Sequence, residues 1–192
     1  MESSSRIRLQ TLAPSLDQNT LNALADMYDG KALLGTMSEN PITLDKGTRI
    51  SPEQGAMLRQ LMTDNSVRSL EVGFAYGFST VWMLDALRKH SDAVHIAIDP
   101  FEKSRWKGIG LNQVDKISFK GDFRWLEDLS IHALSDLIRQ REKFDFVYID
   151  GYHRFDDVIV DFYLCDKLAR PKALVILDDL WMPSIRSARP QL

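Results

Sequence analysis

The sequence predicts an α/β fold built on a doubly wound parallel sheet of five strands. Five short apolar runs alternate with longer stretches of helical periodicity from residue 67 onward. Such alternation is typical of βαβ units with right-handed crossovers. Acidic residues follow the runs, and a turn containing glycines follows the first of them. Both features are expected where parallel strands end at the ligand-binding edge of a sheet.

The first 64 or so residues are predicted to form a helical extension of one domain that spans residues 1–192. Residues 1–14 are polar and predicted to be irregular, and a helix is predicted over 15–28. A second helix is predicted from Pro52 to about Thr63. Its start carries an N-cap serine, Ser51, and a glutamine three residues later, which together form a capping box.

The remaining elements alternate along the chain. The predicted strands are Val67–Val72, Val94–Ile98, Ile117–Lys120, Phe144–Ile149 and Ala173–Leu177. The predicted helices between them are Phe78–His90, Ser104–Asp115, Ile131–Gln140 and Phe155–Ala169. The last strand is rich in Val, Ile and Leu, as expected of a strand that is covered on both faces.

Composition narrows the class of protein. The chain has 192 residues, of which 44% are hydrophobic, so one core is expected. A net charge of −3 without a basic stripe argues against a nucleic-acid partner. A single cysteine, Cys165, excludes a disulfide framework, and together with the lack of a signal peptide it predicts a cytoplasmic protein. No apolar run approaches the length of a membrane span, so no membrane partner is expected.

Acidic side chains recur where the predicted strands end. They are Glu71, Asp99, Asp122, Asp150 and the vicinal pair Asp178 and Asp179. Any one of them could simply cap the helix that follows. So many carboxylates on one rim would repel one another unless cations lie among them, and this favours a ligand site.

The stretch EVGFAYGFST indicates which kind of ligand binds after the first strand. A dinucleotide fingerprint would need glycine at 73, 75 and 78, but the chain has Gly73, Ala75 and Phe78. A helix start with the hydroxyl of Ser79 suits a carboxylate, and Glu71 suits an ammonium group. The pattern therefore favours an amino-acid zwitterion. The alternative is a tight turn whose glycines serve only packing.

Four motifs in order carry a resemblance to a known family: ISPEQG, EVGFAYGFST, IDGYHRFDDVIVD and LDDL. The second resembles the first motif of class I S-adenosylmethionine (SAM)-dependent methyltransferases. Together they are similar to the metal-dependent O-methyltransferases, which include catechol-type enzymes and bacterial relatives that act on natural-product or sugar hydroxyls. The resemblance covers about residues 45–185 and implies a Rossmann-like sheet of order 3-2-1-4-5.

The resemblance also implies which residues bind SAM. Asp99 matches the acid that binds the ribose hydroxyls, and Gly121 and Asp122 match the contacts to adenine. The full set of implied SAM-binding residues is Glu71, Gly73, Ala75, Gly77, Phe78, Ser79, Asp99, Gly121, Asp122 and Asp150.

In the resembling enzymes, acids after the fourth and fifth strands hold a divalent cation. The matching residues are Asp150, Asp178 and Asp179, whose hard oxygen ligands favour Mg²⁺ or another divalent cation. His153 occupies the position of the general base, a task that suits imidazole near neutral pH. The alternatives are a capping Asp178 beside a solvated Asp179, and a histidine that only forms hydrogen bonds within its loop.

The resembling enzymes have seven strands, but only thirteen residues follow Asp179. Strands six and seven are therefore expected to be missing, which leaves the fifth strand at an edge that invites pairing. We expect this edge to be covered by the N-terminal helices or by another chain, for example in a homodimer.

The sequence thus predicts SAM- and Mg²⁺-dependent O-methylation of a small hydroxylated molecule. One alternative is a SAM-binding protein without catalytic activity, which the short C-terminus favours. The other is a relative of the cephalosporin-hydroxylase-like group with different chemistry. A nucleic-acid methyltransferase is disfavoured because the fourth strand ends in IDGYH instead of an Asn/Asp-Pro-Pro-aromatic motif.

Overall fold

The computed structural model describes residues 3–62 and 66–188 and contains a parallel sheet of five strands. The strands are β1 (Arg68–Val72), β2 (Val94–Ile98), β3 (Asp122–Leu126), β4 (Phe144–Ile149) and β5 (Ala169–Leu177). Their order in the sheet is β3-β2-β1-β4-β5. The predicted fold class and strand order are therefore confirmed.

Eight α-helices precede, connect or follow the strands in the described residues. They are α1 (Ser4–Leu12), α2 (Gln18–Tyr28), α3 (Pro52–Leu61), α4 (Phe78–Leu87), α5 (Ile109–Lys116), α6 (Ser130–Arg139), α7 (Phe155–Leu168) and α8 (Pro183–Ala188). A 3₁₀ turn, Lys46–Thr48, precedes α3. Within the described ranges, none of the helices has the length and apolar character that crossing a membrane requires.

The chain divides into two compact units. The first comprises described residues within 1–63, 74–91 and 101–121, which include α1 to α5. The second comprises described residues within 64–73, 92–100 and 122–192, which include all five strands and α6 to α8. The prediction of one domain over the whole chain stays a prediction.

Hydrogen bonds to one buried carboxylate connect helices of the first unit. The Asp85 carboxylate of α4 accepts a hydrogen bond from Arg59 of α3 at 2.7 Å and from the backbone N–H of Asp17 at 3.1 Å. Asp17 is the N-cap of α2. One buried carboxylate therefore joins three helices, and its charge is balanced by a guanidinium group.

The first helix was not expected from the sequence. Residues 1–14 were predicted to be irregular, but α1 runs from Ser4 to Leu12. The Ser3 side chain caps it by accepting a hydrogen bond from the N–H of Arg6 at 3.2 Å. Only Leu9 of this helix is buried, so its polar sequence lacks the apolar periodicity that would have revealed it.

The core of the second unit lies between the sheet and α6 and α7. Leu70 and Val72 of β1 and Val147 and Ile149 of β4 belong to this cluster. Leu134 of α6 and Cys165 of α7 also belong to it. Alternate strand residues point to this face, so the intervening residues of β1, β2 and β4 are left for the opposite face.

The third strand lies later in the chain than predicted. Residues 117–120 alternate in polarity like a strand, but Ile117 completes α5 by donating its N–H to the Gln113 carbonyl at 3.3 Å. β3 begins at Asp122, which pairs with Val94 at the amino-terminal start of β2. The prediction that Gly121 and Asp122 follow the carboxyl end of strand three is therefore wrong.

β5 begins earlier than predicted, at Ala169, and includes Pro171. Proline lacks the N–H that a strand between two neighbours would donate. Among the residues that the structure describes, β5 has a neighbour on one side only, β4. Pairing of its other edge with a second chain, and its coverage by the N-terminal helices, stay predictions.

Candidate cofactor and metal site

The end of β1 carries a buried polar network within the second unit. The Glu71 side chain is fully buried, and its Oε2 lies 3.3 Å from Nε2 of His95 on β2. Nδ1 of the same imidazole lies 2.6 Å from the Ser69 hydroxyl. Glu71 was predicted to contact the cofactor, whereas His95 and Ser69 were not singled out. They alternate with apolar residues on their strands, but which side chains meet depends on the register that pairs Ser69 with His95.

Gly73, the residue after β1, lies too close to β4 for any side chain. A Cβ atom there would lie 2.0 Å from the Asp150 carbonyl oxygen, and the residue has φ of +95°. The Asp150 N–H donates to the Val72 carbonyl at 2.8 Å. The predicted cofactor turn and the predicted metal ligand Asp150 are therefore adjacent at the carboxyl edge of the sheet.

The rest of the predicted cofactor loop belongs to the first unit. Ala75 and Gly77 have φ of +45° and +79°, and Gly77 is the N-cap of α4. Phe78 and Ser79 are buried in the first turn of that helix. The loop therefore turns tightly into α4, and the binding of an anionic group by the first turn of this helix stays a prediction.

Asp99 lies directly after β2 and is 5% exposed. Its N–H donates to the Leu126 carbonyl at 3.1 Å, which places it beside the end of β3 at the carboxyl edge. Asp122 is the first residue of β3 and Gly121 comes directly before it, so both lie at the amino-terminal end of the strand and do not share this edge. Sequence reasoning missed the two acids that follow β3 there, Glu127 and Asp128, because it placed the strand too early.

Three of the predicted site residues come together after β4 and β5. Nε2 of His153 lies 3.4 Å from Oδ1 of Asp150 and 3.0 Å from Oδ2 of Asp179. The ligand atoms of these three residues all lie within 4.8 Å of one another. The tips of the two strands are adjacent because the Asp178 N–H donates to the Ile149 carbonyl at 3.0 Å. The prediction that strands four and five are neighbours is confirmed.

Local backbone contacts fix the loops that carry this cluster. The Ser184 hydroxyl of α8 donates to the His153 carbonyl at 2.6 Å. Asp179 has φ of +54°, a left-handed conformation that costs a non-glycine residue about 1 to 2 kcal/mol. Such strain is concentrated at functional sites. The indole N–H of the exposed residue Trp181 donates to Oδ1 of Asp179 at 2.8 Å.

Asp178, the remaining predicted ligand, is held by other groups. Its Oδ2 accepts a hydrogen bond from the hydroxyl of Tyr148, and its Oδ1 accepts one from the Asp179 N–H at 2.7 Å. The Tyr148 hydroxyl also lies 3.5 Å from Oδ2 of Asp150. Tyr148 was not among the predicted site residues, although it stands two positions before Asp150 and therefore shares its side of the strand.

Burial and like charge perturb the titration of the cluster. Burial, with the nearby carboxylates of Asp178 and Asp179, raises the pKa of Asp150 to about 6. The hydrogen bond to Asp150 raises the pKa of His153 above its ordinary value. Burial and the neighbouring carboxylates also raise the pKa of Tyr148, so its hydroxyl remains a donor. Because carboxylates this close together repel one another, a positive charge placed among them would stabilise their ionised forms.

The donor set fits a small divalent cation. Asp150 and Asp179 offer hard carboxylate oxygens, and His153 offers one imidazole nitrogen. This combination without cysteine suits Mg²⁺ or Mn²⁺, with water or an acceptor oxygen filling the other positions. A small pocket beside the cluster is lined by Ile149, Gly151, Tyr152, Val158, Leu177 and Ile185 together with Asp150, His153 and Asp178.

Comparisons with known proteins agree with this geometry. Residues 70–180 match a family model described as a methyltransferase domain. A catechol O-methyltransferase of Niastella koreensis is 24% identical over 159 residues, which cover 80% of this chain and 67% of that protein.

Solved structures of methyltransferases share the fold. An O-methyltransferase of Bacillus cereus in complex with SAH has a TM-score of 0.70 and 18% identity, covering 98% of this chain and 83% of that one. The O-methyltransferase TomG of Streptomyces achromogenes, involved in tomaymycin synthesis and in complex with SAM, has a TM-score of 0.64 and 20% identity, covering 99% and 84%. The resemblance that the four motifs indicated is confirmed.

Proposed function

The chain belongs to the methyltransferase-domain family, and we propose that it transfers the methyl group of SAM to a hydroxyl oxygen of a small acceptor with the help of Mg²⁺ or another divalent cation. The similar proteins support SAM as the methyl donor and an oxygen atom as the methyl acceptor. One is named a catechol O-methyltransferase, and two are O-methyltransferases in complex with SAH or SAM.

The observation that carries the proposal is the cluster of Asp150, His153 and Asp179 at the carboxyl edge of the sheet. It places two carboxylates and an imidazole beside Gly73, the first residue of the predicted cofactor loop. Ligands bind at this edge in doubly wound sheets. A SAM-binding protein without catalytic activity would have no need to keep such a repelling pair of acids beside a histidine.

The roles of the chain's own residues follow from their positions. When bound, SAM supplies an electrophilic methyl group, and a divalent cation supplies the positive charge that favours ionisation of an acceptor hydroxyl. Asp150 and Asp179 would hold the cation. His153 accepts the hydroxyl proton at Nε2, and its contacts with the two carboxylates favour the protonated imidazole that results. Most of the rate enhancement comes from positioning the acceptor.

Cofactor binding is assigned to the residues around β1 and β2. The Ser79 hydroxyl at the start of α4 is proposed to recognise the carboxylate of SAM. Glu71 is fully buried beside His95, so its predicted contact with the ammonium group stays a prediction. Asp99 binds the ribose hydroxyls from the end of β2. Gly121 and Asp122 are not assigned to adenine, because they lie at the amino-terminal start of β3, away from the carboxyl edge.

The test is an assay of SAH release from SAM with a panel of small phenols, catechols and sugars. We expect release that depends on one class of acceptor, is lost in EDTA and is restored by Mg²⁺ or Mn²⁺. Calorimetric titration with SAM on the same sample should show binding with and without the cation.

Three outcomes separate the alternatives. SAM binding without release for any acceptor would favour a non-catalytic SAM-binding protein. Release that is unaffected by EDTA would remove the cation from the proposal and leave methyl transfer intact. Failure to bind either SAM or SAH would contradict the proposal as a whole.

A further inference from the structure

Tyr148 contacts two of the predicted cation ligands, Asp150 and Asp178. It lies on β4, between β1 and β5, and is among the largest fully buried side chains of the described residues. Its hydroxyl donates to Oδ2 of Asp178 and lies 3.5 Å from Oδ2 of Asp150. One phenol therefore joins carboxylates from two neighbouring strand tips.

The two oxygens of Asp150 consequently face different partners. Oδ2 lies toward the phenol, while Oδ1 lies 3.4 Å from His153 in the cluster. Asp178 is fixed at both oxygens, by the phenol and by the Asp179 N–H. Groups that hydrogen-bond metal ligands fix the orientation of those ligands, and their loss typically lowers metal affinity about 10- to 100-fold.

We infer that Tyr148 is a positioning residue of this site: its hydroxyl sets the orientation of Asp178 and Asp150 so that the strand tips present their ligand atoms to a divalent cation. The inference rests on the cation part of the proposed function. In this inference the orientation of Asp178 depends on the hydroxyl of Tyr148. Asp178 is distinct from the cluster itself, which consists of Asp150, His153 and Asp179.

The test is the affinity of the purified full chain for Mn²⁺, measured by calorimetry and by the loss of the free-ion electron paramagnetic resonance signal. Tyr148→Phe removes one oxygen atom and keeps the buried ring. We expect it to weaken Mn²⁺ binding about tenfold, as removal of a supporting hydrogen bond does elsewhere. Tyr163→Phe, at an exposed tyrosine on α7 of the same unit, should leave the affinity unchanged.

A double-mutant cycle distinguishes positioning from general stabilisation. If Tyr148 acts through Asp178, the double variant Tyr148→Phe/Asp178→Asn should bind Mn²⁺ no more weakly than Asp178→Asn alone. Thermal unfolding of each variant checks that the fold is retained, and Asp178→Asn supplies a second measurement if Tyr148→Phe folds poorly.

The outcomes separate this inference from the proposed function. A wild-type chain that binds Mn²⁺ and a Tyr148→Phe variant that binds it within twofold of wild type would overturn the inference alone. Equal losses that simply add in the double variant would also overturn it. A wild-type chain that binds no Mn²⁺ would overturn the inference together with the cation part of the proposed function, while methyl transfer would stand or fall by its own assay.

Discussion

Two histidines of the second unit meet carboxylates at similar distances, but in opposite surroundings. His95 lies 3.3 Å from Glu71, and both side chains are fully buried. His153 lies 3.0 Å from Asp179, and their side chains are 39% and 25% exposed. Solvent does not reach the first pair, whereas His153 of the second pair lines a small pocket.

The difference teaches that contact alone does not identify a catalytic histidine. The buried pair is completed by the Ser69 hydroxyl, so both imidazole nitrogens have partners and the network can fix the position of Glu71. The half-exposed pair can exchange protons with an acceptor, which the buried pair cannot. We therefore assign support to His95 and proton transfer to His153.

The largest expected effect concerns His153. His153→Gln should lower kcat for methyl transfer about 10²- to 10⁴-fold, the usual contribution of a general base. SAM affinity should change little, because the residue belongs to the acceptor side of the site. Steady-state kinetics at saturating SAM, with Mn²⁺ affinity measured in parallel, check this result.

A matched control exists on α6. His132 also lies beside a carboxylate, 3.2 Å from Asp128, but on the exposed surface. His132→Gln should leave kcat unchanged. A His153→Gln variant with wild-type kcat would remove the base role, and a variant that loses Mn²⁺ affinity as well as kcat would make His153 a ligand.

The second effect concerns His95. His95→Leu leaves the Glu71 carboxylate and the Ser69 hydroxyl buried without the imidazole, which should lower the free energy of unfolding by about 3 kcal/mol. Urea unfolding monitored by circular dichroism measures it, with His132→Leu as the exposed control. An unfolding free energy equal to that of wild type would contradict the supporting role of the network.

The third effect, which is confined to the pH range above about 4, concerns the free-energy cost of a buried carboxylate that has no imidazole partner. Asp161 of α7 is 2% exposed, and its neighbours are the Ser130 hydroxyl and the Asp157 carboxylate. Burial raises its pKa from 3.8 to about 6. Between these values the folded state binds more protons than the unfolded state, so stability falls as the pH rises through this window.

Asp161→Asn removes this titration. Relative to wild type, its unfolding free energy should be nearly equal at pH 4 and higher by on the order of 3 kcal/mol at pH 7.5, the energy of a shift of about two pKa units. Asp166→Asn, an exposed position on the same helix, should show no such pH-dependent difference. A constant difference at both pH values would mean that Asp161 is not perturbed by burial.

Much of the fold could be predicted because local signals agreed with the tertiary structure. The run Phe144–Ile149 became β4 with the same bounds, and the capping box at Ser51 and Gln54 is present. β3 was misplaced because Ile117 to Lys120 alternate like a strand, while tertiary packing assigns Ile117 to the end of α5. As a result, Asp122 was predicted at the carboxyl edge of the sheet, although it lies at the opposite edge.

The site was predicted in part for a similar reason. The spacing of Asp150, His153 and Asp179 along the chain indicated their convergence, because neighbouring parallel strands end at one edge. The roles of Tyr148 and His95 could not be predicted, since each depends on which side chain of an adjacent strand faces it. That information comes from the register, which places Tyr148 beside Ile176 of β5 and His95 beside Ser69 of β1.

The most direct test of the central claim is the rate of methyl transfer by Asp179→Asn at saturating SAM and Mg²⁺. Asp179 lies in a strained conformation beside His153 and is assigned to the cation, so its replacement should lower kcat at least about 100-fold. SAM affinity should stay within about twofold, because the residue lies outside the assigned cofactor contacts. A variant that transfers methyl groups at the wild-type rate would contradict the claim that the tips of β4 and β5 form the catalytic centre.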